Sequence, residues 1–108
     1  MRQAMLLIEQ KLSSLDPISE VVSSLCIGIR QLERRFYADV GMTMREFRCR
    51  LRLARARWMI ENTDLLLTEI GLDCGFGGCS HFSHAFTARF NVTPSAARRT
   101  SRSGRPSA

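Results

Sequence analysis

The sequence predicts an all-α fold of about seven helices, built as two helix-turn-helix units joined by a long connector helix. Two observations carry this prediction. Apolar residues recur at steps of three and four along nearly the whole chain, and no stretch alternates apolar with polar as a half-buried strand does. The apolar pattern also repeats on itself. Ile18 matches Leu67, Glu20 matches Glu69, Leu25 matches Cys74 and Ile27 matches Phe76, at an offset of 49. After one extra residue in the second turn, Leu32 matches Phe82, Phe36 matches Phe86, Val40 matches Phe90 and Thr43 matches Thr93, at an offset of 50.

Each element follows from local signals. Residues 2–12 place Met5, Ile8 and Leu12 on one helical face. Asp16-Pro17 breaks that helix, and proline is favourable at a first helical position. Ile18, Val21, Val22 and Leu25 form a short apolar face, Cys26-Ile27-Gly28 a turn, and Ile29, Leu32, Phe36 and Val40 a second face. This first unit spans about residues 18–40. Thr43-Met44-Arg45-Glu46 has the form of a capping box and opens a connector over about residues 44–62. Its expected apolar face is Phe47, Leu51, Ala54 and Trp58, with Trp58 read as core because large aromatics favour burial. Arg45, Arg48, Arg52 and Arg55 fall on another face. The second unit spans about residues 68–90, with Thr68 as expected cap, Gly75-Phe76-Gly77-Gly78 as turn and Phe82, Phe86 and Phe90 as core. Thr93-Pro94 opens a last short helix. The domain is expected to cover residues 1–99, with 100–108 a disordered basic tail.

The 108 residues suit one small domain, and 44% hydrophobic content supports a modest core. No apolar run approaches the roughly 20 residues of a membrane span, and no secretory signal is evident. Four cysteines without a paired framework suggest reduced thiols and a cytosolic protein. The net charge is +6 and the pI about 10.1, carried by 15 Arg and one Lys. That footprint suits a polyanion, although an arginine-favouring genome composition gives the same excess. Residues 29–57 hold nine Arg against Glu33, Asp39 and Glu46, whereas residues 58–97 are net −3. The first unit is therefore expected to dominate binding to a polyanion.

A helix-turn-helix unit presents its second helix for insertion into a DNA major groove. Two units could enter successive grooves, about 34 Å apart, and a connector of about 18 residues is roughly 27 Å long. The runs IRQLERRF, LRLARARWMIENTDLLLTEIGLDCGF and SHFSHAFTARFNVTPSAARR resemble the AraC/XylS transcription regulators over residues 2–99. RQLERRF with TEIGLDCGF and SHFS.AF is most similar to the GlxA-like subgroup. Its members usually carry an N-terminal domain resembling the DJ-1/PfpI fold, so the resemblance implies that this chain is the DNA-binding half. It also implies a homeodomain-like tandem fold, sequence-specific double-stranded DNA as ligand and transcription regulation as function. RNA polymerase contact, dimerisation through the N-terminal domain and location in the bacterial cytosol, at the nucleoid when bound, are implied too. No catalysis, cofactor, metal or membrane contact is implied.

By the same resemblance, base contacts fall on Arg30, Glu33 and Arg34 in the first unit. They fall on Cys79, Ser80, His81, Ser83 and His84 in the second. Arg can donate twice to guanine and Glu can accept from cytosine N4. Phosphate contacts are expected at Thr43 and Thr93, where helix N-termini offer amides, and at Arg45, Arg98 and Arg99. The chain departs from the family pattern at four kinds of position. Gly28 and Gly78 replace the usual Ser caps, Cys26 stands where Gly is usual, Val22 where Ala is preferred, and His84 where Arg is usual.

Rival readings start from CGFGGCSHFSHAF. Cys74, Cys79, His81 and His84 have zinc-ligand chemistry. However, the repeat assigns Cys74 to a core position, and the histidines fall opposite the Phe82/Phe86 face. A catalytic Cys-His pair lacks an orienting third group. A protein-interaction module, an RNA- or membrane-binding Arg surface, and a truncated fragment with weak DNA binding also compete with the DNA-reading assignment.

Overall fold

The computed structural model describes residues 2–76 and 79–104, and the side chains of 2–76 and 80–102. Seven α-helices and no strand occur among the described residues: α1 Arg2–Gln10, α2 Ile18–Val21, α3 Ile29–Val40, α4 Met44–Asn62, α5 Leu67–Asp73, α6 Cys79–Phe90 and α7 Pro94–Gly104. A 3-10 turn, Ser23–Leu25, follows α2. The chain divides into two compact units within α4, between Leu51 and Arg52.

In the first unit Ala4, Ile8, Leu12, Ile18, Val21, Val22, Leu32, Phe36 and Met44 form the buried core, with Phe47 and Leu51 packed against it. Phe36 and Phe47 meet edge-on at 5.5 Å. Gly41 closes α3 at φ +83. The turn from α2 to α3 passes through Cys26, which is left-handed at φ 56 and ψ 30. The repeat-equivalent residue is Gly75, at φ 93. Glycine carries no Cβ penalty in that region, whereas cysteine does. Cys26 is exposed, so Cys26→Gly loses little packing. It is expected to stabilise the first unit by about 1 kcal/mol, less the entropy of the freer unfolded chain. Urea denaturation of the two proteins measures the difference.

The second unit packs Leu53, Ala56, Met59, Ile60, Ile70, Cys74, Phe76, Phe82 and Phe86, all buried. The phenyl rings form a ladder, with centroids 5.2 Å apart for Phe76–Phe82, 5.8 Å for Phe82–Phe86 and 4.7 Å for Phe86–Phe90. Such pairs add to simple area burial.

Several expectations need correction. Trp58 is not core, being 60% exposed, and Ala54 is exposed as well. The apolar phase of α4 runs Met44, Phe47, Leu51 in the first unit. It shifts to Leu53, Ala56, Ile60 in the second, so a single face drawn through Phe47 and Leu51 arrives at Trp58 on the solvent side. The Arg face is likewise not uniform. Arg52 is buried, and Arg48 is half-buried with Nη1 donating to the Asp16 carbonyl at 2.7 Å. Arg55 reaches Asp73 at 3.5 Å. Thr68 does not cap α5, which begins one residue earlier with Leu66 at the N-cap position and the Glu69 carboxylate accepting the Leu66 N–H at 3.4 Å. Nor is 100–104 disordered: α7 continues to Gly104, with Arg102 paired to Asp64 at 3.0 Å. Residues 105–108 lie outside the described residues.

Candidate nucleic-acid interface

Gly28 is the N-cap of α3, at φ −56 and ψ 137, and its carbonyl accepts the Leu32 N–H at 2.9 Å. Leu32 and Phe36 are buried and hold the helix down. With about 100° of turn per residue, Arg30, Glu33 and Arg34 project from the far side, and all three are exposed. The first unit thus displays two guanidinium groups and a carboxylate on one helical face.

α6 repeats this plan with different chemistry. Phe82 and Phe86 anchor it. Ser80 and His84 are exposed, Ser83 is half-buried, and the three line a shallow concavity of about 410 Å³ together with Thr87. His81 is exposed but stands apart, its ring edge-on to Phe76 at 5.6 Å. The Cys79 side chain, Gly77 and Gly78 lie outside what is described.

Thr43 and Thr93 occupy matching N-cap positions. Thr43 Oγ1 accepts the Glu46 N–H and Thr93 Oγ1 the Ala96 N–H, each at 3.1 Å. The hydroxyls fix the first turns of α4 and α7, whose other free amides are suited to an anion. Arg45, in the first turn of α4, and Arg99, six residues past Thr93 on α7, are exposed. Arg98 is a correction. Its Nη1 donates to the Leu65 carbonyl at 2.6 Å, Nη2 to Thr63 at 3.1 Å and Nε to Ile60 at 3.5 Å. The guanidinium is committed to loop and helix-end carbonyls, not held out for phosphate. Arg48, offset from Arg98 by 50, grips Asp16 in the same way, and Asp16 is the repeat-equivalent of Leu65. Extending the repeat past Thr43 and Thr93 exposes this pairing in the sequence.

Of the candidate ligand residues, His81 and His84 are exposed. Cys74 is fully buried with Sγ 3.8 Å from Met59 Sδ. Among the described residues no three His, Cys, Asp or Glu side chains gather as a metal site requires. Burial pushes the Cys74 thiol up to about 11, with Asp73 adding to the rise and Arg55 and Arg52 opposing it. The raised value means that the neutral buried thiol favours the fold. Its contribution is full below pH about 9 and is lost as pH rises through about 11. At pH 8, iodoacetamide is expected to modify exposed Cys26 well before Cys74, as peptide mass analysis reads directly.

No described helix is long and apolar enough to cross a membrane. The helix-turn-helix domain family matches residues 21–100. The HTH-type transcriptional regulator ArgR of Pseudomonas aeruginosa is 37% identical over 102 residues, covering 94% of this chain and 31% of that protein. The chain spans about a third of the length of such curated relatives. Among solved structures, a transcriptional regulator of the AraC-type DNA-binding-domain proteins from Chromobacterium violaceum is 30% identical, with TM-score 0.82 and coverage of 98% of this chain and 93% of that one. The DNA-binding domain of AdpA, solved with a target DNA, is 20% identical with TM-score 0.92, covering 99% of this chain and 96% of that one. The last shows a shared fold.

Proposed function

Since this chain belongs to the helix-turn-helix domains of AraC-type regulators, we propose that α3 and α6 read double-stranded DNA in the major groove and that the chain thereby regulates transcription. One observation carries the reading. α3 is held by Leu32 and Phe36 and presents Arg30, Glu33 and Arg34 outward, the side-chain types that pair with guanine and cytosine edges. On α6, Ser80, Ser83 and His84 form the corresponding face. Thr43 and Thr93 at helix starts, with Arg45 and Arg99, are the phosphate partners. The domain performs no catalysis in this reading and works in the cytosol, at the nucleoid.

Membership of the GlxA-like subgroup, contact with RNA polymerase and dimerisation through a further domain of the whole protein belong to the same proposal. They rest on the family resemblance alone.

Affinity is expected to fall linearly with log salt, by about 0.9 log units per neutralised phosphate. Arg34→Ala should cost about 1–3 kcal/mol and relax preference at one base pair. His84→Ala should cost less, since imidazole lacks the planar fork by which Arg donates twice to guanine. Fluorescence anisotropy on a selected duplex reads both, and equal losses would contradict the expected dominance of the first unit.

A further inference from the structure

We infer that the fourth position of each reading face, Tyr37 on α3 and Thr87 on α6, contacts the 5-methyl group of a thymine. Each unit then selects a T·A pair at that place in its site. This rests on the proposal that the two helices enter the major groove.

The geometry follows from helical spacing. Tyr37 comes seven residues after Arg30, four after Glu33 and three after Arg34. At about 100° per residue it falls inside the arc those three define, one turn further along. It is 58% exposed, an aromatic ring left in solvent on the face proposed to meet DNA. Thr87 stands 50 residues on, at the same register of the repeat. There it lines the concavity with Ser80, Ser83 and His84. The two helices therefore share a face at i, i+3, i+4 and i+7. His81 lies off this arc, against Phe76.

The chemistry at the fourth position is shared as well. On both helices the first three positions supply polar or charged groups. The fourth adds carbon surface, a phenol ring or a methyl, beside its hydroxyl. Thymine is the one base that presents a methyl in the major groove, and apolar side chains and the Thr methyl recognise it.

The test uses the full chain and a duplex recovered by selection from a random pool. Each thymine is replaced singly by uracil, which lacks only the 5-methyl group. Binding is measured for the parent protein, Tyr37→Ala, Tyr37→Phe and Thr87→Ser, with thermal melts to show that each variant is folded. Two thymines are expected at which uracil weakens parent binding about fourfold, the weight of one buried methyl. One of these effects should vanish in Tyr37→Ala and the other in Thr87→Ser. Uracil swaps that leave the parent unchanged, or that cost both variants as much as the parent, overturn the inference. So does a loss in Tyr37→Phe that is uniform across sequences, because it marks a hydroxyl-to-phosphate contact. A parent that selects no sequence removes the proposed base reading together with the inference. A parent that selects a site but ignores methyl groups removes the inference alone.

Discussion

Gly71→Val is expected to destabilise the second unit by about 3 kcal/mol, the upper range for overpacking a core, and Phe82→Leu to restore most of the loss. A Cβ at Gly71 would sit 3.0 Å from Phe82 Cδ2 and 3.2 Å from Cγ. The Phe82 ring is 1% exposed and fixed between Phe76 and Phe86 at 5.2 and 5.8 Å, so it cannot swing aside. Valine's better helix propensity than glycine's, worth a few tenths of a kcal/mol, is too small to offset the clash. The repeat supplies the remedy. Val22 and Leu32 occupy the positions equivalent to Gly71 and Phe82, at offsets of 49 and 50, and both lie in the first unit's core. A small residue with a large ring and a branched residue with Leu are two fillings of one pair of repeat positions. Urea titrations of the two single variants and the double should therefore show a favourable coupling of about 0.5–3 kcal/mol. Additive losses would mean that the units are not packed alike.

Arg98→Ala is expected to cost about 3 kcal/mol of stability. It removes a cation that donates to the carbonyls of Leu65, Thr63 and Ile60. Hydrogen bonds to charged groups are worth about 1.5–3 kcal/mol, and carbonyls left without a partner add a desolvation cost. Arg98→Lys should recover little, because one ammonium cannot reproduce the planar fork. DNA affinity should fall only with the folded fraction, and the salt slope of the folded protein should stay unchanged. Arg99→Ala supplies the contrast. Arg99 is exposed, so its loss should leave the melting temperature in place and reduce the salt slope by about one. An Arg98→Ala protein with unchanged stability and a reduced slope would return Arg98 to the phosphate contacts.

Most of the fold is legible in the sequence because the repeat constrains it twice. Phe82 and Phe86 can be assigned to the core since Leu32 and Phe36 hold the same register. The connector escapes such reading where that support stops. Its apolar phase changes between Leu51 and Leu53, and a single-face extrapolation puts Trp58 inside. Helix ends are legible where a hydroxyl caps, at Thr43 and Thr93. They are not legible where backbone and packing decide, at Leu66 and along α7. At the candidate interface, the type of each outward residue follows from spacing. The commitment of Arg98 shows only through its repeat match to Arg48, because its partners are backbone carbonyls more than 30 residues away and carry no side-chain signature.

Selection of bound duplexes from a random pool, at two salt concentrations and with Arg34→Ala alongside the parent, tests the central claim most directly. The account predicts two separate blocks of preferred bases in the parent's sites. In the variant one block weakens while the other persists, and both proteins lose affinity steeply as salt rises. Failure of the parent to enrich any sequence, or enrichment that Arg34→Ala leaves untouched, would contradict it.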